Sequence, residues 1–299
     1  MSFVSGESAF FCEDFSPARP SGFDAELDQA VSTYGLDRGS LTGYCNVSGH
    51  PATFAITDPN LRENVMADVS GTGARHRLLA CGLSLALFDT PLVSLPASAE
   101  VINARRSRVF LTETTTPFHA AVVALLAPEI LTTSEYFGDQ YASGDYVGDI
   151  RHEDLQQTSF PDEYFDFVIT SDVMEHVPDA IAAEREIVRI LSPGGAYCFT
   201  VPLLAYAEAD MIAARVLADG SIEYLEEPMY HGDPLRPEGA LVFRLFSVNE
   251  MTARFAALGV TCTTYRIWSK SYGILGPGCW VHVVRKPNGR AVERASARV

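Results

Sequence analysis

Residues 151–204, RHEDLQQTSFPDEYFDFVITSDVMEHVPDAIAAEREIVRILSPGGAYCFTVPLL, do most to limit what this chain folds into. An acid-bearing loop leads into FDFVIT (165–170), whose apolar and β-branched content predicts a buried strand. That strand delivers Ser171, Asp172 and Val173 to its carboxyl end, and Met174-Glu175-His176 follow. PDAIAAEREIVRIL places apolar residues at helical spacing, and the turn SPGG stops the helix before a second strand, AYCFTVPLL. Pro202 ends that strand's hydrogen bonding and turns the chain. Strand, helix and strand this close together predict parallel βαβ packing, in which ligands collect at the carboxyl ends of the strands.

The flanking segments extend the pattern. RVFLT (108–112) reads as a strand, and an apolar helix begins at Pro117, with Glu113-Thr114-Thr115-Thr116 as the turn between them. LTTSEYFGD supplies a short strand ending at Glu135, which is 135 − 113 = 22 positions beyond Glu113. That is near the spacing of about 20 expected for an acid on a ribose diol; a solvent-facing strand-end acid is the plainer reading. Toward the end, Ser247-Val-Asn-Glu250 predicts a capping box, MTARFAALG a helix stopped by Gly259, and VTCTTYRIW with GCWVHVVRK an antiparallel hairpin. Between these, AYAEADMIAARVLADG (205–220) reads as a helix and 221–239 as an irregular, turn-rich segment of the kind that covers sites.

Asp154, FPD (160–162), FD (165–166), EH (175–176) and PGG (193–195) keep their order and spacing together, and in this the chain resembles class I S-adenosylmethionine-dependent methyltransferases of the type 11 kind. The resemblance implies an α/β, Rossmann-like fold: a mostly parallel seven-stranded sheet with an antiparallel C-terminal hairpin, plus a small N-terminal lobe. It implies S-adenosyl-L-methionine as cofactor, with Glu113, Thr114 and Thr115 at its methionine part, Glu135 and Tyr136 at the ribose, and Asp154 and Leu155 at the adenine. Ser171 and Asp172 complete that set. One departure stands out, because the turn that usually carries glycines here carries three threonines, whose side chains restrict close backbone approach. A Y-H-G-D-P stretch also matches, at Tyr230–Pro234. His176, His231 and Asp233 are the candidates for taking a proton from the methyl acceptor, beside loop-stabilising roles for the same residues. The implied reaction is O-methylation of a small polar molecule, a sugar or a natural-product intermediate. The alternative is a methyltransferase-like binding or scaffold protein with an impaired cofactor site. A nicotinamide oxidoreductase is disfavoured, since no G-x-G-x-x-G follows a strand and no Tyr precedes a Lys by four positions.

Composition narrows the partners. A net charge of −16, from 22 basic and 38 acidic residues, speaks against nucleic acid. The longest apolar runs, 78–88 and 119–131, fall short of the roughly 20 residues of a membrane span. No basic start with an apolar core opens the chain, and six cysteines are scattered without a disulfide framework, so a cytoplasmic protein with reduced thiols is expected.

Residues 1–100 are expected to form an arm and a small β-containing lobe, 101–287 the methyltransferase domain with a substrate-side insertion at 205–240, and 288–299 a flexible tail. The arm carries Phe10, Phe11, Phe15 and Phe23 and a short helix, ELDQAVSTYGL, and is consistent with a homodimer. GYCNVSGHPATFAI predicts a β-hairpin lobe. Relatives with a zinc-ribbon-like element carry CxxC pairs here, whereas this chain has Cys45, Ser48, Ala67 and Ser70; with His50 nearby, these cannot form a four-ligand site, so no metal is expected. The glycine turn ADVSGTGARHR (67–77) is either a cofactor loop or a structural turn with Arg75 and Arg77 exposed or facing the substrate. TPLVSLPASAEVINARRS (90–107) reads as a loop.

Overall fold

The computed structural model describes residues 10–14, 39–58, 60–276 and 278–289. The chain starts with an edge strand, β1 (Phe10–Asp14), then forms a small antiparallel sheet of β2 (Gly39–Cys45), β3 (His50–Ile56) and β4 (Val65–Ala67). Helices α1 (Ala74–Phe88) and α2 (Leu95–Arg105) follow. The alternating part is β5 (Val109–Leu111), α3 (Pro117–Leu125), β6 (Leu131–Thr133), the small hairpin β7 (Tyr146–Val147) and β8 (Ile150–Arg151), β9 (Phe165–Ser171), a 3-10 turn at Met174–His176, α4 (Ala180–Ile190) and β10 (Leu191–Thr200). Seven short strands come next: β11 (Leu203–Leu204), β12 (Met211–Ile212), β13 (Ala214–Val216), β14 (Ile222–Tyr224), β15 (Tyr230–Asp233), β16 (Arg236–Leu241) and β17 (Arg244–Ser247). α5 (Val248–Ala257), β18 (Thr261–Ser269) and β19 (Trp280–Arg285) close the fold.

The main sheet has seven strands in the order β1-β18-β19-β10-β9-β5-β6. β6, β5, β9 and β10 are parallel, and β19 enters antiparallel to both β10 and β18. The architecture is thus the expected mostly parallel α/β sheet with an antiparallel C-terminal hairpin. Its seventh strand is a surprise, because it comes from the N-terminal arm: β1 runs antiparallel along β18, from Phe10 opposite Ser269 to Asp14 opposite Tyr265. Two strands therefore oppose the parallel direction, where one was expected.

Period-two alternation sorts the sheet's side chains into two cores. Val109, Leu111, Phe167 and Ile169 point toward α1, α2 and α3. Phe110, Val168, Tyr197 and Phe199 point toward α4 and α5, with Ile187 and Phe255 packed on them. Gly82 in α1 lets that helix close on the sheet, since a Cβ there would lie 2.7 Å from Val281 Cγ2.

Four local expectations are corrected. Residues 205–220 form no helix: the buried Asp210 carboxylate accepts from Ser247 N, Arg244 Nη1 and Arg254 Nη1, each at 2.7 Å, and Ala213 N pairs with Phe243 O, drawing the segment into the strands around β17. Where a loop was expected, α2 forms; Leu95, Ala99 and Ile102 repeat at helical spacing on a buried face, with a proline in the first turn. Ser247 makes no side-chain cap, because its hydroxyl donates to Ala207 O and Glu250 accepts from Asp210 N. SPGG does not precede the strand but lies within β10 as a register shift between Leu191 and Ala196. The expected helix at 26–36, Phe15 and Phe23, and the tail from residue 290 lie outside the described residues. No described helix is long and apolar enough to cross a membrane.

Candidate active site

The carboxyl ends of β5, β6, β9 and β10 open onto a cavity of about 1170 Å³. From β5 the chain proceeds to α3 and β6, and from β9 to α4 and β10, so the connections diverge between β5 and β9. Open α/β sheets bind ligands at such a divergence. Single small-ligand pockets typically run to about 1,000 Å³, so there is room for two molecules of moderate size. Hairpin β15–β16 forms the cover, and Arg62, Glu63 and Arg75 close the side nearest the N-terminal lobe.

One wall is acidic. Glu113, directly after β5, is only 6% exposed; its Oε1 accepts from the Thr116 hydroxyl at 2.7 Å, yet burial pushes the carboxyl up to about 7. The same Thr116 oxygen accepts from His119 N at 3.0 Å and so caps α3. Thr114 donates from both its amide (2.6 Å) and its hydroxyl (2.9 Å) to Glu135 Oε1. The threonine turn is therefore tied to both acids. Of the three, Thr115 and Thr116 line the cavity and Thr114 does not; it holds Glu135 from behind. Burial also raises the Glu135 carboxyl. Asp154 and Leu155 continue the wall, with Asp154 Oδ1 accepting from Gln156 N at 2.8 Å. Tyr136 gives its hydroxyl to Asp139, and its carbonyl takes Arg236 Nη2 at 2.6 Å, which latches the hairpin cover to the end of β6.

Ser171 and Asp172 lie at the end of β9, and their side chains are engaged by two arginines, Arg75 from the glycine turn and Arg62, to which no motif pointed. Arg62 donates to both Asp172 oxygens, at 2.5 and 2.6 Å, and Arg75 Nη1 donates to Ser171 Oγ. Burial disfavours a charge on Asp172, but Arg62 outweighs it and holds the carboxyl well below the usual range. Asp172 adopts a left-handed backbone, φ 50°, so the strand end is bent at the cavity floor.

The glycine turn at 67–77 supports this arrangement, and of its residues only Arg75 lines the cavity. Gly71 has φ 65°, and a Cβ on Gly73 would lie 2.7 Å from Glu63 O, so Gly73 lets the Arg62–Glu63 loop lie on the start of α1. Arg75 then faces the site. Arg77 does not, contrary to expectation: it is fully buried and donates to the carbonyls of Thr72, Val65 and Gly273. Cys45 lies 3.3 Å from Ser70 Oγ, so the β2–β4 lobe joins these positions by hydroxyl and thiol contacts.

The opposite wall holds the histidines. His176 Nδ1 lies 2.8 Å from Leu241 O and must donate to it, which leaves Nε2 as the acceptor, 3.2 Å from His231 Nδ1. Behind them Glu175 is fully buried. Asp233 is separate: it accepts from Leu235 N at 2.7 Å and Arg236 Nη1 at 2.9 Å and so serves the turn of the hairpin. Glu175 is the residue that motif reading passed over, although it stands beside His176 in EH. The contacts that bring Arg62 and Arg236 to the site left no local signal, since Asp172 and Tyr136 lie 110 and 100 residues away from them.

Residues 118–199 match a family model described as a methyltransferase domain. A search of curated proteins gives no match. Among solved structures, a methyltransferase from Mesorhizobium loti is similar at 15% identity, covering 60% of this chain and 81% of that one, TM-score 0.36. The DhpI complex with SAH is similar at 22% identity, covering 72% and 99%, TM-score 0.37. CalS10, an amino pentose methyltransferase from Micromonospora echinaspora, is similar at 15% identity, covering 63% and 88%, TM-score 0.38.

Proposed function

We propose that this chain, whose residues 118–199 match a methyltransferase-domain model, is a working class I S-adenosylmethionine-dependent enzyme that methylates an oxygen of a small polar molecule held beneath hairpin β15–β16. The acidic wall carries this reading: Glu113, Glu135 and Asp154, following β5, β6 and β8 in turn, line one cavity. A carboxylate only accepts hydrogen bonds, and the cofactor's ammonium, ribose diol and adenine amino group all donate them, so the residues present fit the group. Bound there, S-adenosylmethionine supplies an electrophilic methyl on a sulfonium.

In this reading Glu113 holds the ammonium, with Thr115 and Thr116 beside it. Glu135, braced by Thr114 and flanked by Tyr136, takes the diol, and Asp154 with Leu155 takes the adenine. Ser171 and Asp172, fixed by Arg75 and Arg62, form the floor between cofactor and acceptor. Methyl transfer to an oxygen depends mainly on aligning acceptor and methyl, with proton removal as an aid. The histidine wall serves the acceptor side, where His231 and His176 are placed to receive its proton. Asp233 supports this wall by shaping the hairpin. The cover brings Tyr230 and His231 to the cavity, which fits a hydroxylated acceptor such as a sugar or a natural-product intermediate.

Calorimetry with S-adenosylmethionine and its demethylated product, followed by a screen of hydroxylated metabolites with a labelled methyl donor, tests the reading. Binding with label transfer to one acceptor is expected. Absence of binding at millimolar cofactor removes it.

A further inference from the structure

We propose that Glu175, His176 and His231 form a binding site for a divalent zinc-like cation, with its open coordination position toward the cavity. Glu175 Oε1, His176 Nε2 and His231 Nδ1 converge on one point. The separations are 3.2 Å between the two nitrogens, 3.5 Å from His231 to Glu175 and 3.7 Å from His176 to Glu175. Ligands bound tetrahedrally at about 2.0–2.1 Å stand about 3.4 Å apart, whereas right-angled octahedral ligands at that bond length stand about 3.0 Å apart. The observed edges bracket the tetrahedral value. Nitrogen and carboxylate ligands in a tetrahedral set suit zinc among the common divalent ions.

Burial supplies an independent observation. Glu175 is 0% exposed, and neither of its carboxylate oxygens has a hydrogen-bond partner among the described residues; at 3.5 Å the His231 contact is electrostatic only. A buried carboxylate faced only by two imidazoles at 3.5 and 3.7 Å is weakly compensated, and a cation bound between the three groups would offset that cost. The surroundings orient the ligands as a metal site requires. His176 Nδ1 donates to Leu241 O, which turns the Nε2 lone pair inward, and Phe243 N donates to Glu175 O, anchoring the 3-10 turn to the segment after β16. The rings of His176 and His231 stand nearly perpendicular, at 87°, so they approach the shared point edge-on from different directions.

Three protein ligands leave a fourth position, and both histidines line the cavity. That is the pattern of a zinc centre that binds water or substrate. A hydroxyl coordinated there would be acidified by the ion, which would then replace the two imidazoles, occupied as ligands, as the means of easing the acceptor's proton away. Zinc uptake itself does not depend on the methyl-transfer reading. The sequence expectation of no metal rested on the incomplete ligand set around Cys45, elsewhere in the fold.

The test uses tag-free full-length protein stripped with a chelator and titrated with Zn²⁺ against a chromophoric chelator, without S-adenosylmethionine. One equivalent is expected to bind and to raise the melting temperature. Co²⁺ is expected to give the intense visible absorption of a tetrahedral site. His231→Ala, on the partly exposed hairpin, and Glu175→Gln are each expected to weaken Zn²⁺ binding at least about 100-fold, while His50→Ala leaves it unchanged. No uptake by the wild type, or equal affinity in His231→Ala, overturns the proposal. Loss of cofactor binding with zinc uptake intact would instead count against the methyl-transfer reading alone.

Discussion

Replacing Glu113 by Gln isolates an acid that burial moves close to neutrality. Burial moves its carboxyl from an ordinary 4.5 to about 7. A carboxyl whose folded pKa is raised binds its proton more tightly in the folded state, so its contribution to stability is fully present below 4.5, is lost as pH rises through about 7, and is flat above. The interval, at about 1.4 kcal/mol per pH unit, corresponds to about 3 kcal/mol in full, of which about 2.5 lies between pH 5 and pH 8. With 299 residues and an unfolding entropy near 2.1 cal/mol/K per residue, that equals a melting shift of about 4 °C. Gln keeps the oxygen that accepts from Thr116 at 2.7 Å but does not titrate. Thermal unfolding of ligand-free protein at pH 5 and pH 8 should therefore show the variant gaining about 4 °C on the wild type over that interval. The cofactor reverses the benefit: if Glu113 pairs with an ammonium, wild-type affinity should rise about tenfold from pH 6 to pH 8, while the variant binds more weakly and without this dependence. A melting difference that does not change with pH would refute the raised pKa. A pH-dependent difference with unaltered cofactor affinity would refute the role of Glu113 in binding.

Asp154→Ala should weaken cofactor binding by about 1.5–3 kcal/mol in calorimetry, through loss of a charge-assisted hydrogen bond; unchanged affinity would place the adenine elsewhere. Arg62→Met should destabilise the fold by about 2–3 kcal/mol in urea unfolding, at the low end for breaking a buried pair because Arg75 stays 3.6 Å from Asp172. Asp172→Asn added to Arg62→Met should recover part of that loss. Since the Asp172 carboxyl is held low, its stabilising contribution is present above about pH 4 and is lost on acidification below the ordinary carboxylate range, and Arg62→Met should flatten that acid limb. Gly73→Ala should cost about 1–3 kcal/mol and weaken the contact between Arg75 and Ser171, because the added Cβ meets the Glu63 carbonyl 2.7 Å away; an unaltered melting temperature would contradict the close approach.

The parallel sheet was legible because its information is local. Alternating apolar residues in FDFVIT and AYCFTV, the amphipathic helix between them, and the terminal hairpin each depend on spacings within a few residues. The spacing of Glu113 and Glu135, and the order Asp154, FPD, FD, EH, likewise follow from one strand end succeeding another along the chain, so the acidic wall could be placed before any coordinates. Interactions across the sequence were different. β1 beside β18, Arg62 on Asp172, Asp210 drawing 205–220 out of a helix, and His231 meeting His176 all join residues tens to hundreds of positions apart, and no periodicity records such pairs.

By itself, then, the sequence determined where the core strands β5, β6 and β9 run and which acids follow them, because backbone propensity and side-chain alternation are properties of neighbours. Tertiary structure alone decided what those acids experience. Glu113 is displaced toward neutrality and Asp172 is held ionised, although both follow similar strands, because one is buried against a threonine hydroxyl and the other against a guanidinium brought from the N-terminal lobe. Glu175 reads as an ordinary acid in EH. Only the folded chain leaves its carboxylate buried, without a hydrogen-bond donor among the described residues, and within 4 Å of two imidazoles.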